Sequence, residues 1–168
     1  MALASVATLK GYFNTGDQPT ETQFANLIET LANPYYNGHQ HKTAGFTAAA
    51  GYIYTITDLD GCAVVLPTPV IGDKIKLVFT APSSNTHTVT SDDAATLYSG
   101  YLLSLDIVDG TEAENTVWAP DGVNDRIITL NRTTQGGSAE IELVALTVLD
   151  WRVSGRVYGS SDIVTMFS

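Results

Sequence analysis

The chain has 168 residues, 44% of them hydrophobic and only 15% charged, with a single cysteine. That length supports one well-buried domain with an appendage, and the lone Cys62 excludes an intrachain disulfide framework and a CxxC-type metal site. Eight basic against 18 acidic residues leave a net charge of -10, which opposes direct binding to nucleic-acid phosphates and leaves much of the surface to neutral Thr, Ser and Asn.

The opening MALASVATLK has neither a basic n-region nor a long apolar core, so no secretion signal is expected. No stretch approaches the roughly 20 apolar residues needed to span a bilayer, and a protein folded in a reducing cytoplasm without a membrane partner is expected. After Leu9, Tyr12 and Phe13 comes the turn-like NTGDQP. Residues 20–31, TETQFANLIETL, then place Phe24, Leu27, Ile28 and Leu31 on one face of an amphipathic helix. Thr20 followed three residues later by Gln23 fits a capping box, and Pro19 sets the chain direction before it. A helix this short cannot bury its apolar face alone; it must lie on the rest of the chain, on a sister subunit or on a larger partner.

The next stretch, NPYYNGHQHKTAGFTAAAG, is rich in Pro, Gly, Asn and small residues and reads as a linker with a sticky Tyr35–Tyr36 pair. The chain thus divides into an anchor at 1–33, a linker at 34–51 and a β body at 52–168. Alternation and β-branched enrichment mark strands in YIYTIT, CAVVLP, DKIKLVFTA, THTVTS, LYSGYLLSLDIV, NTVWAP, DRIITLN, AEIELVAL, DWRVSGRVYG and DIVTMFS. Roughly eight to ten short strands predict a mainly β fold, an antiparallel β-sandwich or jelly-roll-like barrel, over any βαβ arrangement. DRIITLN and AEIELVAL flank a Gly-Gly turn and read as a hairpin.

Few constellations point to chemistry. His39 and His41, two apart on an extended segment, project the same way; they are the only candidate metal ligands, and two are too few unless a symmetric oligomer brings copies together. The alternative is two polar linker residues, and no cofactor is expected. Asp58/Asp60 and Glu140/Glu142 each put two carboxylates on one strand face with Cα atoms roughly 6.6 Å apart, within the range of glycosidase pairs. Ile141 and Leu143 between and beside the glutamates instead mark a solvent-facing edge of the alternation, and the aspartates suit turns. His87 shows no partner in sequence. Cys62 sits in an apolar run that disfavours the thiolate, and no GxSxG, P-loop or GxGxxG follows a strand, so no enzyme is expected. Asn131-Arg132-Thr133 matches a glycosylation sequon, read as chance without a secretory route. Tyr35, Tyr36 and Trp118 are the candidates for a sugar-stacking rim, and Trp151, alternating with Val153, is expected to face inward.

The phrase LKGYFNTGDQPTETQFANLIETL resembles a segment near the start of tailed-phage fibre and head-associated proteins, matched here by Leu9, Lys10, Phe13, Thr15, Gly16, Asp17, Pro19, Thr20, Phe24, Leu27 and Ile28. The body, in "LP-x-P…GDK" and "W-x-V-x-G", is similar in style to small phage β proteins. The resemblance implies a virion component, often trimeric. With no long shaft between anchor and body, it further implies a capsid decoration or cement protein of the shell exterior, made in the host cytoplasm, whose partners are the major capsid protein and sister subunits. Phe24, Leu27, Ile28, Leu31, Tyr35 and Tyr36 would form its interfaces. A head or tail fibre protein with a carbohydrate-binding β domain is the alternative.

Overall fold

A computed structural model describes residue 18 and residues 20–25, 38–58, 60–80, 86–106, 116–131, 138–159 and 166–168. Of the helix expected at 20–31, residues 21–25 are helical, and Leu27, Ile28 and Leu31 lie outside the described residues, as do Tyr35 and Tyr36.

Among the described residues eleven strands follow: β1 (Gly38–Lys42), β2 (Phe46–Thr47), β3 (Tyr52–Ile56), β4 (Ala63–Leu66), β5 (Lys74–Phe79), β6 (Thr86–Ser91), β7 (Leu97–Asp106), β8 (Thr116–Trp118), β9 (Ile127–Asn131), β10 (Ala139–Thr147) and β11 (Asp150–Gly159). They form a seven-stranded sheet, ordered β1-β3-β5-β10-β11-β7-β8, and a four-stranded sheet, ordered β2-β4-β6-β9. The fold is mainly β in two sheets, as the alternation predicts.

Their pairing is mixed, where purely antiparallel sheets were expected. From β1 to β6 the chain steps from one sheet to the other at every strand, and each strand lies parallel to the one two before it. A parallel pair needs a crossover, normally a helix. Here the crossover is a strand of the opposite sheet, which hydrophobic periodicity cannot reveal. The same winding explains why β1 and β2 fall inside the stretch read as a linker: His39 alternates with Gln40 and His41 without an apolar face of its own, and β1 is held by its backbone ladder to β3. The hairpin expected from DRIITLN and AEIELVAL is not formed. β9 pairs with β6 in the small sheet, and β10 pairs with β5 and β11 in the large one. A Gly-Gly turn signal is local and does not say which sheet the next strand joins.

The two sheets face each other across one apolar core. Alternate residues point inward: Ile75, Leu77 and Phe79 on β5, Ile141 and Leu143 on β10, and Trp151 and Val153 on β11 are all fully buried. From the small sheet come Val64, Leu66, Val89, Ile128 and Leu130. Polar ties cross the gap. The Tyr98 hydroxyl donates to the Val89 carbonyl at 3.0 Å, and the Trp151 indole N–H donates to the Pro67 carbonyl at 3.3 Å. Met166 and Phe167 cover the free edge of β9, where Ser168 and Ile127 exchange backbone hydrogen bonds. His87, for which the sequence shows no partner, is buried against Phe79 with ring centroids 5.0 Å apart, and its Nδ1 accepts from the Cys62 backbone N–H at 2.8 Å. That bond fixes the proton of the neutral ring on Nε2.

Burial of titratable groups gives a pH signature. It raises the Tyr54 and Tyr98 phenols above their ordinary 10.0, and it pushes the Cys62 thiol from 9.0 up to about 11, with the nearby Asp58 charge adding to the effect. All three groups are neutral when protonated, so the stabilisation is whole below pH 9 and is lost as the unfolded chain ionises first, through about 11 for Cys62. The melting temperature is expected to fall steadily between pH 9 and 11. Cys62→Ala should flatten the first part of that fall, and an unchanged slope would show that the thiol does not contribute. At pH 8 the folded protein should react with a disulfide reagent far more slowly than the unfolded chain.

Candidate functional site

The anchor helix starts as its residues require. The Thr20 backbone N–H donates to Gln23 Oε1 at 2.8 Å, Gln23 N–H donates to Thr20 Oγ1 at 3.3 Å, and Phe24 N–H closes the first turn onto the Thr20 carbonyl at 2.9 Å. Both halves of the capping box are therefore made. Phe24, the one described member of the apolar face, is 49% exposed.

On the body, the outer face of the large sheet carries an ordered polar field. Register places His39, Ile53, Lys76, Glu142, Ser154 and Tyr101 in one row across six strands. The neighbouring row holds His41, Thr55, Val78, Glu140, Arg156 and Leu103. Lys76 and Glu140 form an ion pair diagonally between the rows. Lys76, Glu140, Glu142, Ser154, Gly155 and Arg156 line a shallow depression of about 260 Å³. Together with Lys74 and Arg152, this face holds four of the chain's eight basic side chains, a local concentration of positive charge on a strongly acidic molecule.

The sequence-derived candidates distribute as follows. His39 and His41 do share a face, and each Nε2 is hydrogen-bonded to a threonine: Thr55 Oγ1 at 2.6 Å and Thr57 Oγ1 at 2.9 Å. Among the described residues no group of three or more His, Cys, Asp or Glu side chains is placed to hold a metal. Glu140 and Glu142 point to solvent with Ile141 and Leu143 buried between and beyond them, as the alternation predicts. Asp58 caps its own turn by accepting from the Asp60 N–H at 2.9 Å, and Asp93 does the same for Ala95 at 2.8 Å. Trp118 packs against the core instead of standing on a rim. On the β body, Tyr101 is presented among the described residues, 49% exposed beside Ser154; its place on an outward row of β7 was the signal available in the sequence.

Sequence reasoning also missed one end of the sandwich, where Val70 and Ile71 on the β4–β5 loop, Leu146 at the end of β10, and Val148 and Leu149 in the β10–β11 turn are exposed. No helix among the described residues is long and apolar enough to cross a membrane. Compared with models of known protein families and with curated proteins, the chain matches none.

Proposed function

We propose that this chain is a structural protein of a tailed-phage virion that binds the outside of the capsid as an oligomer, as a trimer in the simplest case, and stabilises the shell. The observation that carries the reading is the N-terminal segment. Its spacing of Leu9, Phe13, Gly16, Asp17, Pro19, Phe24, Leu27 and Ile28 resembles tailed-phage fibre and head-associated proteins, and it leads into a helix whose capping box is formed.

The mechanism is interfacial. The helix face docks on capsid subunits or clasps sister chains, while the β bodies form a knob. Three linked weak contacts bind far more tightly than one. A net charge of -10 speeds encounter with a shell surface that carries basic patches. No catalytic step is assigned to the chain, and its partners are the major capsid protein and its own copies.

The test is co-sedimentation of the full chain with empty phage shells. Leu27→Asp/Ile28→Asp, which charges the helix face, is expected to cut binding at least tenfold while leaving the melting temperature of the body unchanged. Equal binding by the variant would remove the helix from the mechanism.

A fibre protein with a glycan-binding face is the second reading, favoured by Tyr101 standing beside the polar depression of the large sheet. An exposed ring beside the Lys76–Glu140 ion pair and the Arg156 guanidinium suits a sugar's apolar face and its hydroxyls. Binding on a glycan array that Tyr101→Ala abolishes would support it over the first.

A further inference from the structure

Among the described residues, ten large hydrophobic side chains are exposed, and five of them, Val70, Ile71, Leu146, Val148 and Leu149, gather at one end of the sandwich. Three loops make that end. The β4–β5 loop is held to β10 by Gly72 N–H on the Ala145 carbonyl at 3.0 Å and Ala145 N–H on the Asp73 carbonyl at 2.9 Å. The β6–β7 loop is held by the Thr68 hydroxyl on Asp92 Oδ1 at 3.2 Å and by Leu97 N–H on the Leu149 carbonyl at 3.0 Å. The buried Trp151 fastens the base through the Pro67 carbonyl.

Loop tips normally carry polar residues, and here two adjoining tips spend theirs on aliphatic side chains. The β10–β11 turn has only two residues, and both are apolar, Val148 and Leu149. A shift in register between Ala145 and Thr147 accompanies the outward turn of Leu146. Ile71, at 69%, is the most exposed of the ten. Backbone bonds hold this surface in place, so little ordering is needed when it docks.

Size and charge select the occupant. A patch of this kind measures on the order of a few hundred Å², below the ~800 Å² per partner of a stable interface, so it cannot by itself hold two copies together. Asp73, Asp92, Asp93 and Asp150 lie on or beside the same loops against Lys74 and Arg152, an acidic balance, so two such ends brought together would meet with like net charge. We propose that this end of the β body is a second attachment point, which docks its five aliphatic side chains into an apolar socket rimmed by basic groups on another protein. Resting on the reading above, that protein is a shell subunit, and arm and body end act as two linked contacts on it. Two modest contacts joined in one molecule give the retention that neither gives alone.

The test uses full-length protein carrying Ile71→Asp/Val148→Asp, two exposed positions where aspartate leaves the core intact, with the Leu27→Asp/Ile28→Asp protein in parallel. Binding to empty shells is titrated by co-sedimentation, and mass and melting temperature are measured without shells. The expected result is at least a tenfold loss of shell affinity for the body-end variant with mass and melting unchanged, and loss of detectable binding when both changes are combined. Wild-type affinity should also weaken as salt is raised, as opposed charges require. Wild-type affinity in the body-end variant, while the helix variant fails to bind, would overturn this inference alone. A reduced mass in the body-end variant would also overturn it, by showing that the patch joins copies. A wild-type protein that ignores shells would overturn both this inference and the reading beneath it.

Discussion

Gly100→Ala is expected to destabilise the protein by about 4 kcal/mol, roughly a quarter or more of the stability of a typical domain. Gly100 sits in the middle of β7 with φ +96°, beside Val153 of β11 in a parallel pair. A Cβ there would stand 2.1 Å from the Val153 carbonyl oxygen and 3.1 Å from two further backbone atoms of that residue. No rotamer relieves this, because the obstacle is the backbone of a strand paired on both sides. Two other glycines separate the causes. Gly72 shares the left-handed conformation, φ +92°, with nothing within 4 Å of its Cβ position, so Gly72→Ala should cost only about 1 kcal/mol for the strained backbone. Gly155 lacks that conformation, but its Cβ would meet the Glu140 carbonyl oxygen at 2.2 Å, so Gly155→Ala should fall between. Denaturant unfolding of the three variants should rank them Gly100, Gly155, Gly72 in order of damage. A mild Gly100→Ala would mean that β7 and β11 are not paired in this register.

Trp151→Ala should cost a similar amount, about 4 kcal/mol, or a drop in melting temperature of roughly 8–16 °C for a chain of this size. Trp151 is the largest of the fully buried side chains. It enters the core from the large sheet while its N–H reaches the loop after β4 of the small one. Truncation therefore opens a cavity, leaves the Pro67 carbonyl without its donor, and releases the base of the body end. Trp151→Phe keeps most of the volume and loses the hydrogen bond, so it should cost about half as much. Fluorescence-detected unfolding of both variants measures this, with Trp118 as the remaining reporter. Because the same indole braces the Val70–Ile71 loop, hydrogen exchange at Gly72 should rise in Trp151→Phe by more than the loss of global stability alone accounts for.

Strand positions from β3 to β11 were legible in the sequence because inward and outward residues alternate with little interruption. KIKLVF and AEIELVA put every second side chain in the core, and the observed spans differ from the periodic segments only at their ends. Strand order was not legible. Period-two alternation says that a strand has one buried face but not which sheet completes it, so the winding between sheets from β1 to β6 and the separation of β9 from β10 had no local signature. β1 escaped notice because neither of its faces is apolar: His39 and His41 point outward, and Lys42 lies 5.0 Å over the Phe46 ring at the margin of the core. The capping box was legible residue by residue, since two side chains and one turn decide it. The apolar body end was not, because its five side chains come from the β4–β5 loop and from the end of β10 with its following turn, more than seventy residues apart, and only the fold makes them one surface.

The most direct test of the capsid reading is the mass of the full-length protein in solution, followed by its co-sedimentation with empty phage shells. A trimer that pellets with shells, and whose affinity for them falls at least tenfold when Leu27 and Ile28 are charged, is the expected result. A monomer that stays in the supernatant at every concentration would contradict the capsid assignment and leave the Tyr101 face of the large sheet, tested against glycans, as the place where this protein acts.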